Sequence, residues 1–312
     1  MEETMVIEDR VIGKHRGDQP GKLFLCLAGI HGNERTGIIA LQRVFAALEE
    51  NKPSFAGRMI AVAGNLTAIE ENTRYIDIDL NRIWNKEQID EINKTELEAL
   101  DCNEHRELKA LMKQLDAFTF VDTARNIVFV DLHNTSAAEG MFTFTFEGER
   151  NHEIASALHI PIITGLDKSL EGTAIEFFAK RGYCSLAFEG GPLGDPKSID
   201  IHEAGIWMLL EASGCMTSDN IPNYESHKEL MQSSTGDAPE VVDLIYVHNI
   251  KEEDNFKMNP GYSNFQRIEE GEVLGQDING DVQAPHGGYI MMPLYQKQGD
   301  EGFFITQALQ GN

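Results

Sequence analysis

Basic side chains are scarce in this sequence. Its 26 lysines and arginines stand against 51 aspartates and glutamates, a formal net charge of −25. That balance excludes a nucleic-acid backbone or an anionic membrane surface as partner. An anionic small substrate would need a local basic pocket to hold it against the overall field. Cysteine is sparse too: Cys26, Cys102, Cys184 and Cys215 include no CxxC pair. Zinc-ribbon and dithiol redox chemistry lose their usual signature, and Cys26 and Cys184, inside apolar runs, read as free buried thiols. No apolar run approaches the roughly 18 residues of a membrane span. The opening MEETMVIEDR has neither a basic nor an apolar leader region, so the expected location is cytoplasmic. Also missing are GxSxG, a Walker A loop, a GxGxxG that opens a helix after a strand, and HExxH. His152-Glu153 and His202-Glu203 have no second histidine at the right place.

What the chain does have is an ordinary globular composition, 41% hydrophobic and 25% charged over 312 residues, enough for one large α/β domain and a smaller one. Strand-like runs are expected at 5–12, 22–30, 58–64, 127–132, 141–146, 160–163 and 184–188. Helical spacing falls at 35–50, in a heavily charged stretch over 86–118 broken near 101–103, at 174–180 and at 201–212. In the charged stretch the carboxylates read as a solvated face, and Phe142, Phe144 and Phe146 alternate as in a half-buried strand. Strands that alternate with helices predict an α/β fold with a mixed, mostly parallel sheet covered by helices. Gly, Ser, Asn, Asp and Pro then cluster around one short helix, 225–232, and beyond it the helical signal ends. The expected organisation is a catalytic domain over 1–214, a linker over 215–238 and a β-rich C-terminal domain over 239–312.

Four constellations carry chemistry. His31 and Glu34 follow the apolar run Leu23–Ala28, with Gly32 between them to permit a tight turn. His133 closes the run Ile127–Leu132, with Asp131 two residues earlier on the same strand face, where it can brace an imidazole. Ligands bind beyond the carboxyl ends of strands in open parallel sheets, so both histidines fall on the functional edge. Together His31, Glu34 and His133 supply a His₂Glu set for one catalytic zinc per chain, and a second metal would need more ligands than these strand ends offer. The third constellation is Arg74-Tyr75-Ile76-Asp77-Ile78-Asp79-Leu80-Asn81-Arg82. Its guanidinium groups suit a carboxylate and a developing oxyanion, with salt bridges to Asp77 and Asp79 as the plainer alternative. The fourth, Ala187-Phe188-Glu189-Gly190-Gly191-Pro192, sets an acid after an apolar strand, where burial raises its pKa toward that of a general base.

These stretches (GIHGNE, RYIDIDLNR, DLHNT and FEGGP) resemble the aspartoacylase and succinylglutamate desuccinylase family of the zinc carboxypeptidase clan over roughly residues 23–195. The C-terminal AP-x-GG-Y and P-L-Y…GFF segments are similar to its β-rich second domain, which in acylases covers the cleft. The resemblance implies hydrolysis of the amide bond of an N-acyl amino acid. By that match His31, Glu34 and His133 bind zinc, and Glu189 activates zinc-bound water and then protonates the leaving amine. Arg74 would polarise the scissile carbonyl, Asn81 and Arg82 would hold the α-carboxylate, and Asn134 would line the pocket. A tyrosine from the second domain reaches the site in the family, with Tyr289 and Tyr295 as candidates here. One departure concerns specificity. Aligned on Ser169-Leu170, Gly172 and Glu176 stand where aspartoacylases carry a Tyr and a substrate-reading Arg. Glu176 is therefore expected to disfavour acylated aspartate by like-charge repulsion. The expected partner is a small-molecule N-acyl amino acid, and the sequence leaves homo-oligomerisation open. A metallocarboxypeptidase acting on peptide C-termini and a catalytically silent binding protein are the competing readings.

Overall fold

The computed structural model describes residues 9–137, 139–166, 171–233 and 238–309. It opens with β1 (Val11–Arg16), β2 (Gln19–Ala28), α1 (Thr36–Asn51), β3 (Ala56–Ala63) and α2 (Leu66–Glu71). A single 3₁₀ turn at Leu80–Arg82 precedes α3 (Lys86–Lys94) and α4 (Asn103–Thr119). There follow β4 (Ile127–Thr135), β5 (Phe142–Thr145), α5 (Glu149–Ser156), β6 (Ile162–Thr164), α6 (Ala174–Lys180), β7 (Cys184–Pro192), α7 (Lys197–Ala212) and α8 (Tyr224–Ser233). The remainder is strand: β8 (Val241–Asn249), β9 (Lys257–Met258), β10 (Gln266–Ile268), β11 (Val273–Asp277), β12 (Gly280–Gln283), β13 (Gly288–Met291) and β14 (Glu301–Ala308).

Eleven strands form one sheet in the order β1-β3-β2-β4-β7-β5-β6-β8-β14-β13-β10. Strands β3, β2, β4 and β7 run parallel at its centre, with β1 antiparallel on the β3 edge and β5 antiparallel beyond β7. Chain order reverses at β2, whose neighbours are β3 and β4, so the ends of β2 and β4 flank a topological switch point. Alternation along the strands builds two cores. Phe24, Cys26, Val128 and Val130 face α1 and α7, whereas Leu25, Leu27, Ile127 and Phe129 face α4 and α6.

The C-terminal β region does not stand wholly apart from this sheet. β8 pairs parallel with β6, so β8, β14, β13 and β10 continue it, while β9, β11 and β12 form a small sheet with its own core around Leu274, Ile290 and Phe303. Three local expectations need correction. The first strand runs Val11–Arg16 rather than 5–12, because the polar Lys14-His15-Arg16 segment lies on the sheet edge, and residues 5–8 fall outside the described residues. β5 is buried on both faces, not half-buried: Phe142 and Phe144 enter the core on the α4 and α6 side, α5 packs against the strand, and β7 and β6 pair its two edges. Its Thr143 and Thr145 hydroxyls donate to the Ala187 and Ser185 carbonyls at 2.8 and 3.1 Å, which satisfies them there. In α4 the charges are not all solvated: Glu104 and Glu107 are buried.

Candidate metal centre and active site

Strand register assembles the site. His133 on β4 is the direct cross-strand partner of Glu189 on β7, so both side chains leave the sheet on one face. On the neighbouring strand β2 ends at Ala28, and His31 and Glu34 follow in a turn in which Glu34 N donates to His31 O at 3.1 Å. Gly32 is needed there for closeness, not for its dihedrals. A Cβ on it would sit 2.0 Å from the Ala68 carbonyl carbon at the start of α2. Its N–H donates to Arg74 O at 3.1 Å, which ties this turn to the loop that carries the arginines.

Both imidazoles turn Nδ1 toward Glu34. His31 Nδ1 lies 2.8 Å from Glu34 Oε1, and His133 Nδ1 lies 2.9 Å from Oε2. One ligand atom from each of the three residues falls within 4.8 Å of the others. A tetrahedral ion with bonds near 2.0–2.1 Å requires ligand atoms roughly 3.4 Å apart, so the two His–Glu34 contacts at 2.8 and 2.9 Å need open by only about half an ångström, with loss of their shared protons, to form a His₂Glu site. The opposite nitrogens meet carboxylates. His31 Nε2 is 3.1 Å from Asp79 Oδ1, and His133 Nε2 is 2.9 Å from Asp131 Oδ2. The second contact has ion-pair distance without hydrogen-bond alignment, and neither Asp131 oxygen is otherwise partnered. A carboxylate behind each imidazole fixes the tautomer that leaves Nδ1 free to ligate. The donor set, its backing acids and the unpartnered buried oxygens all fit a divalent cation.

The electrostatics follow from burial and proximity. Burial alone would raise the Glu34 carboxyl, but His31 and His133 outweigh it and hold it well below the usual range. For His133 burial pulls down, and Asp131 and Glu34 overcome it, so the imidazolium persists well above its ordinary pKa. Without metal, that pairing stabilises the fold fully below about pH 6.5 and is lost as pH rises through the raised value. A cation held at Nδ1 would have to displace the His133 proton. Calorimetric titration at neutral pH in two buffers of different ionisation enthalpy should therefore show release of about one proton per ion, with affinity rising as pH rises. Glu189 behaves oppositely to Glu34: burial pushes its carboxyl up to about 7, and its Oε2 has no protein partner.

The Arg74–Arg82 loop is shaped by acids that the sequence reading passed over. Buried Glu104, at the start of α4, accepts from the Ile76, Asp77 and Ile78 amides at 2.8, 3.1 and 3.2 Å and from Asn65 Nδ2 at 2.9 Å. One turn along the same helix, Glu107 accepts from Thr67 and pairs with Arg10. Glu104 also belongs to a second cluster with Asp77 and Cys102, but its oxygens are engaged by those amides. Asp79 caps the 3₁₀ turn through Asn81 N at 2.7 Å, pairs with Arg74 Nη2 at 2.9 Å and meets His31. The salt-bridge reading of Arg74 and Asp79 therefore holds, and the same carboxylate also orients an imidazole. Asp79→Asn should weaken metal binding by about 10–100-fold, measured by competition with a chromophoric chelator.

A cavity open to solvent lies over these groups. Its lining includes His31, Glu34, Arg74, Asn81, Arg82, His133, Asn134 and Glu189. Arg74 is held by Asp79 and, at 3.4 Å, by Glu34, with its Nε unpartnered. Asn81 Oδ1 accepts from Ala174 N at 2.9 Å, and Asn134 accepts from Thr36 Oγ1 at 2.7 Å and donates to Gly191 O at 3.1 Å. Buried His202 lies behind them, its Nε2 3.1 Å from His133 O, and burial lowers it to about 4.

Glu176 is the residue that the structure leaves out. Its carboxylate accepts from Gly172 N at 3.0 Å and pairs with Lys180 Nζ at 2.7 Å, and it does not line the cavity. The structure does not bring it together with the cavity residues: at the first turn of α6 its carboxylate is engaged by Gly172 and Lys180. Ser169-Leu170, on which that alignment rested, lies outside the described residues. Gly172 suits no larger residue, because its φ is +76° and a Cβ would lie 2.3 Å from Arg82 O. Neither candidate tyrosine reaches the site. Tyr289 bonds Arg267 and Tyr295 donates to Asn259 O, both outside the cavity lining. The C-terminal region contributes Met292, Leu294, Gln296, Gly299, Glu301 and Phe304 instead.

The family model for the succinylglutamate desuccinylase/aspartoacylase catalytic domain matches residues 20–211, the span that holds this whole cluster of ligands and acids. The chain belongs to that family. A succinylglutamate desuccinylase from Pseudomonas putida is 30% identical over 276 residues, covering 84% of this chain and 75% of its own. A probable aspartoacylase from Prochlorococcus marinus is 26% identical over 87% of both chains. Among solved structures, succinylglutamate desuccinylase from Vibrio parahaemolyticus superposes with a TM-score of 0.68 at 13% identity, over 95% of this chain and 86% of that one. Murine aminoacylase 3 shares the fold at a TM-score of 0.57 and 16% identity, over 93% of this chain and 96% of its own. Membership in this family makes the chain an enzyme acting on acylated amino acids.

Proposed function

We propose that this protein hydrolyses the amide bond of an N-acyl amino acid with one zinc ion held by His31, Glu34 and His133. The observation that carries the reading is the pairing of His133 with Glu189 across β4 and β7, which sets a proton-accepting acid beside the ligand cluster. A divalent cation there supplies Lewis-acid polarisation of a water or carbonyl oxygen. Glu189 takes a proton from the attacking water at its carboxylate and delivers it to the leaving amide nitrogen. Water adds its oxygen to the acyl carbon, the C–N bond breaks, and a carboxylate and a free amino acid result. Arg74, fixed by Asp79, would stabilise the charge that develops on the carbonyl oxygen. Asn81, Arg82 and Asn134, all in the cavity lining, would hold the substrate.

The C-terminal residues that wall the cavity favour small acyl substrates over peptide C-termini. A screen of acetyl-, succinyl- and formyl-amino acids alongside short peptides, read by release of free amine, tests this. Turnover confined to peptides would replace the reading with a carboxypeptidase. Ligand binding with no turnover of any compound would replace it with a binding protein.

A further inference from the structure

Resting on the N-acyl amino acid reading, the geometry points to substrates that carry a single carboxylate and an otherwise apolar substituent, with Glu301 as the residue that sets this specificity. Among the described residues lining the cavity, and apart from the histidines of the metal centre, the cationic side chains are Arg74 and Arg82. Arg74 is committed to Asp79 and Glu34. Arg82 meets Glu301 from the first residue of β14 in a two-pronged pair, Nε to Oε1 at 2.9 Å and Nη2 to Oε2 at 2.7 Å. Its Nη1 also donates to Asn81 O at 2.8 Å.

Guanidinium offers five N–H groups. Three are spent in this way, and the two that remain match one carboxylate. Glu301 thus aims Arg82 and neutralises it, leaving donors for the α-carboxylate and no surplus positive charge for another. The apolar part of the lining is Phe144, Leu166, Ile175, Ala187, Met292 and Phe304, and the other side chains beside it, Ser136, Thr173 and Gln296 among them, bring no further guanidinium or ammonium group. A second carboxylate placed against that apolar part would be desolvated without a guanidinium partner, next to the acids already present. An aliphatic or aromatic group would fill it. Like-charge rejection, expected of Glu176 from the sequence, passes to Glu301, which does face the cavity.

The test compares kcat/KM of the zinc-loaded enzyme for N-acetyl-leucine, N-acetyl-aspartate and N-succinyl-glutamate, in wild type and in Glu301→Gln. Wild type should prefer the leucine compound by about 100-fold or more. Glu301→Gln leaves Arg82 with a net charge, and the aspartate-to-leucine ratio should rise about tenfold. A ratio is chosen because loss of a purely structural pair would lower both substrates together. Wild-type preference for either dicarboxylate, or an unchanged ratio in the variant, overturns the inference. Should no compound be hydrolysed, calorimetric binding of the same three separates the claims. Tighter binding of N-acetyl-leucine retains the specificity and discards the hydrolysis, whereas equal binding or none discards the specificity.

Discussion

Replacing Glu189 by Gln should lower turnover by about 10³–10⁴-fold while leaving one metal ion per chain. The magnitude follows from the role: a group that both accepts the proton of water and returns it to the amine contributes within that range, about 4–5 kcal/mol of barrier. Gln keeps the shape and fills the same buried place on β7, so the fold should persist. It should even gain stability at alkaline pH. The Glu189 carboxyl has a folded pKa near 7 against an ordinary value near 4.5, so ionising it inside the protein costs stability as pH rises between the two. The same shift predicts that metal-free wild type melts at a lower temperature at pH 8 than the variant does. Kinetics, metal analysis and thermal melting on one preparation check all three points. A variant that retains wild-type turnover would remove Glu189 from the mechanism.

His133→Ala should abolish activity through the metal. Loss of one of three protein ligands must exceed the 10–100-fold that removal of a bracing carboxylate costs, so affinity should fall by well over about 100-fold. The metal-free variant should also be less stable at neutral pH, by on the order of 3 kcal/mol. Asp131 is fully buried with both oxygens unpartnered apart from His133, and removing the imidazole strands that charge. His133→Ala with Asp131→Asn should recover much of that stability and none of the metal affinity. Recovery of both would mean that another group ligates the ion.

Much of this buried cluster is legible in the sequence, for a physical reason. Groups that end buried strands leave short signals, an apolar run followed by His, Glu or Asp, and His31, Glu34, His133 and Glu189 all carry them. The residues that hold these groups in place were harder to read. Asp79 stands in the same loop as the arginines and resembles an ordinary salt-bridge partner, since nothing local reveals that His31 lies across the turn. Glu104 did carry a signal. It sits four residues before Leu108 on the stripe continued by Leu111, Met112 and Leu115, so helical periodicity turns its carboxylate inward. His202 occupies a comparable inward position four residues before Ile206 on α7. Specificity was least legible. The Arg82–Glu301 pair joins residues 219 apart, and the continuation of the sheet through β6 and β8 that brings them together rests on long-range pairing with no local pattern.

The central claim is that one ion, held by His31, Glu34 and His133, enables amide hydrolysis of an acylated amino acid. Its most direct test is chelation followed by titration with zinc, monitoring amine release from N-acetyl-leucine. The account predicts activity lost on chelation and restored linearly to a plateau at one equivalent per chain, with His133→Ala giving no plateau. Full activity in the chelated protein, or a plateau at one equivalent that survives in His133→Ala, would contradict it.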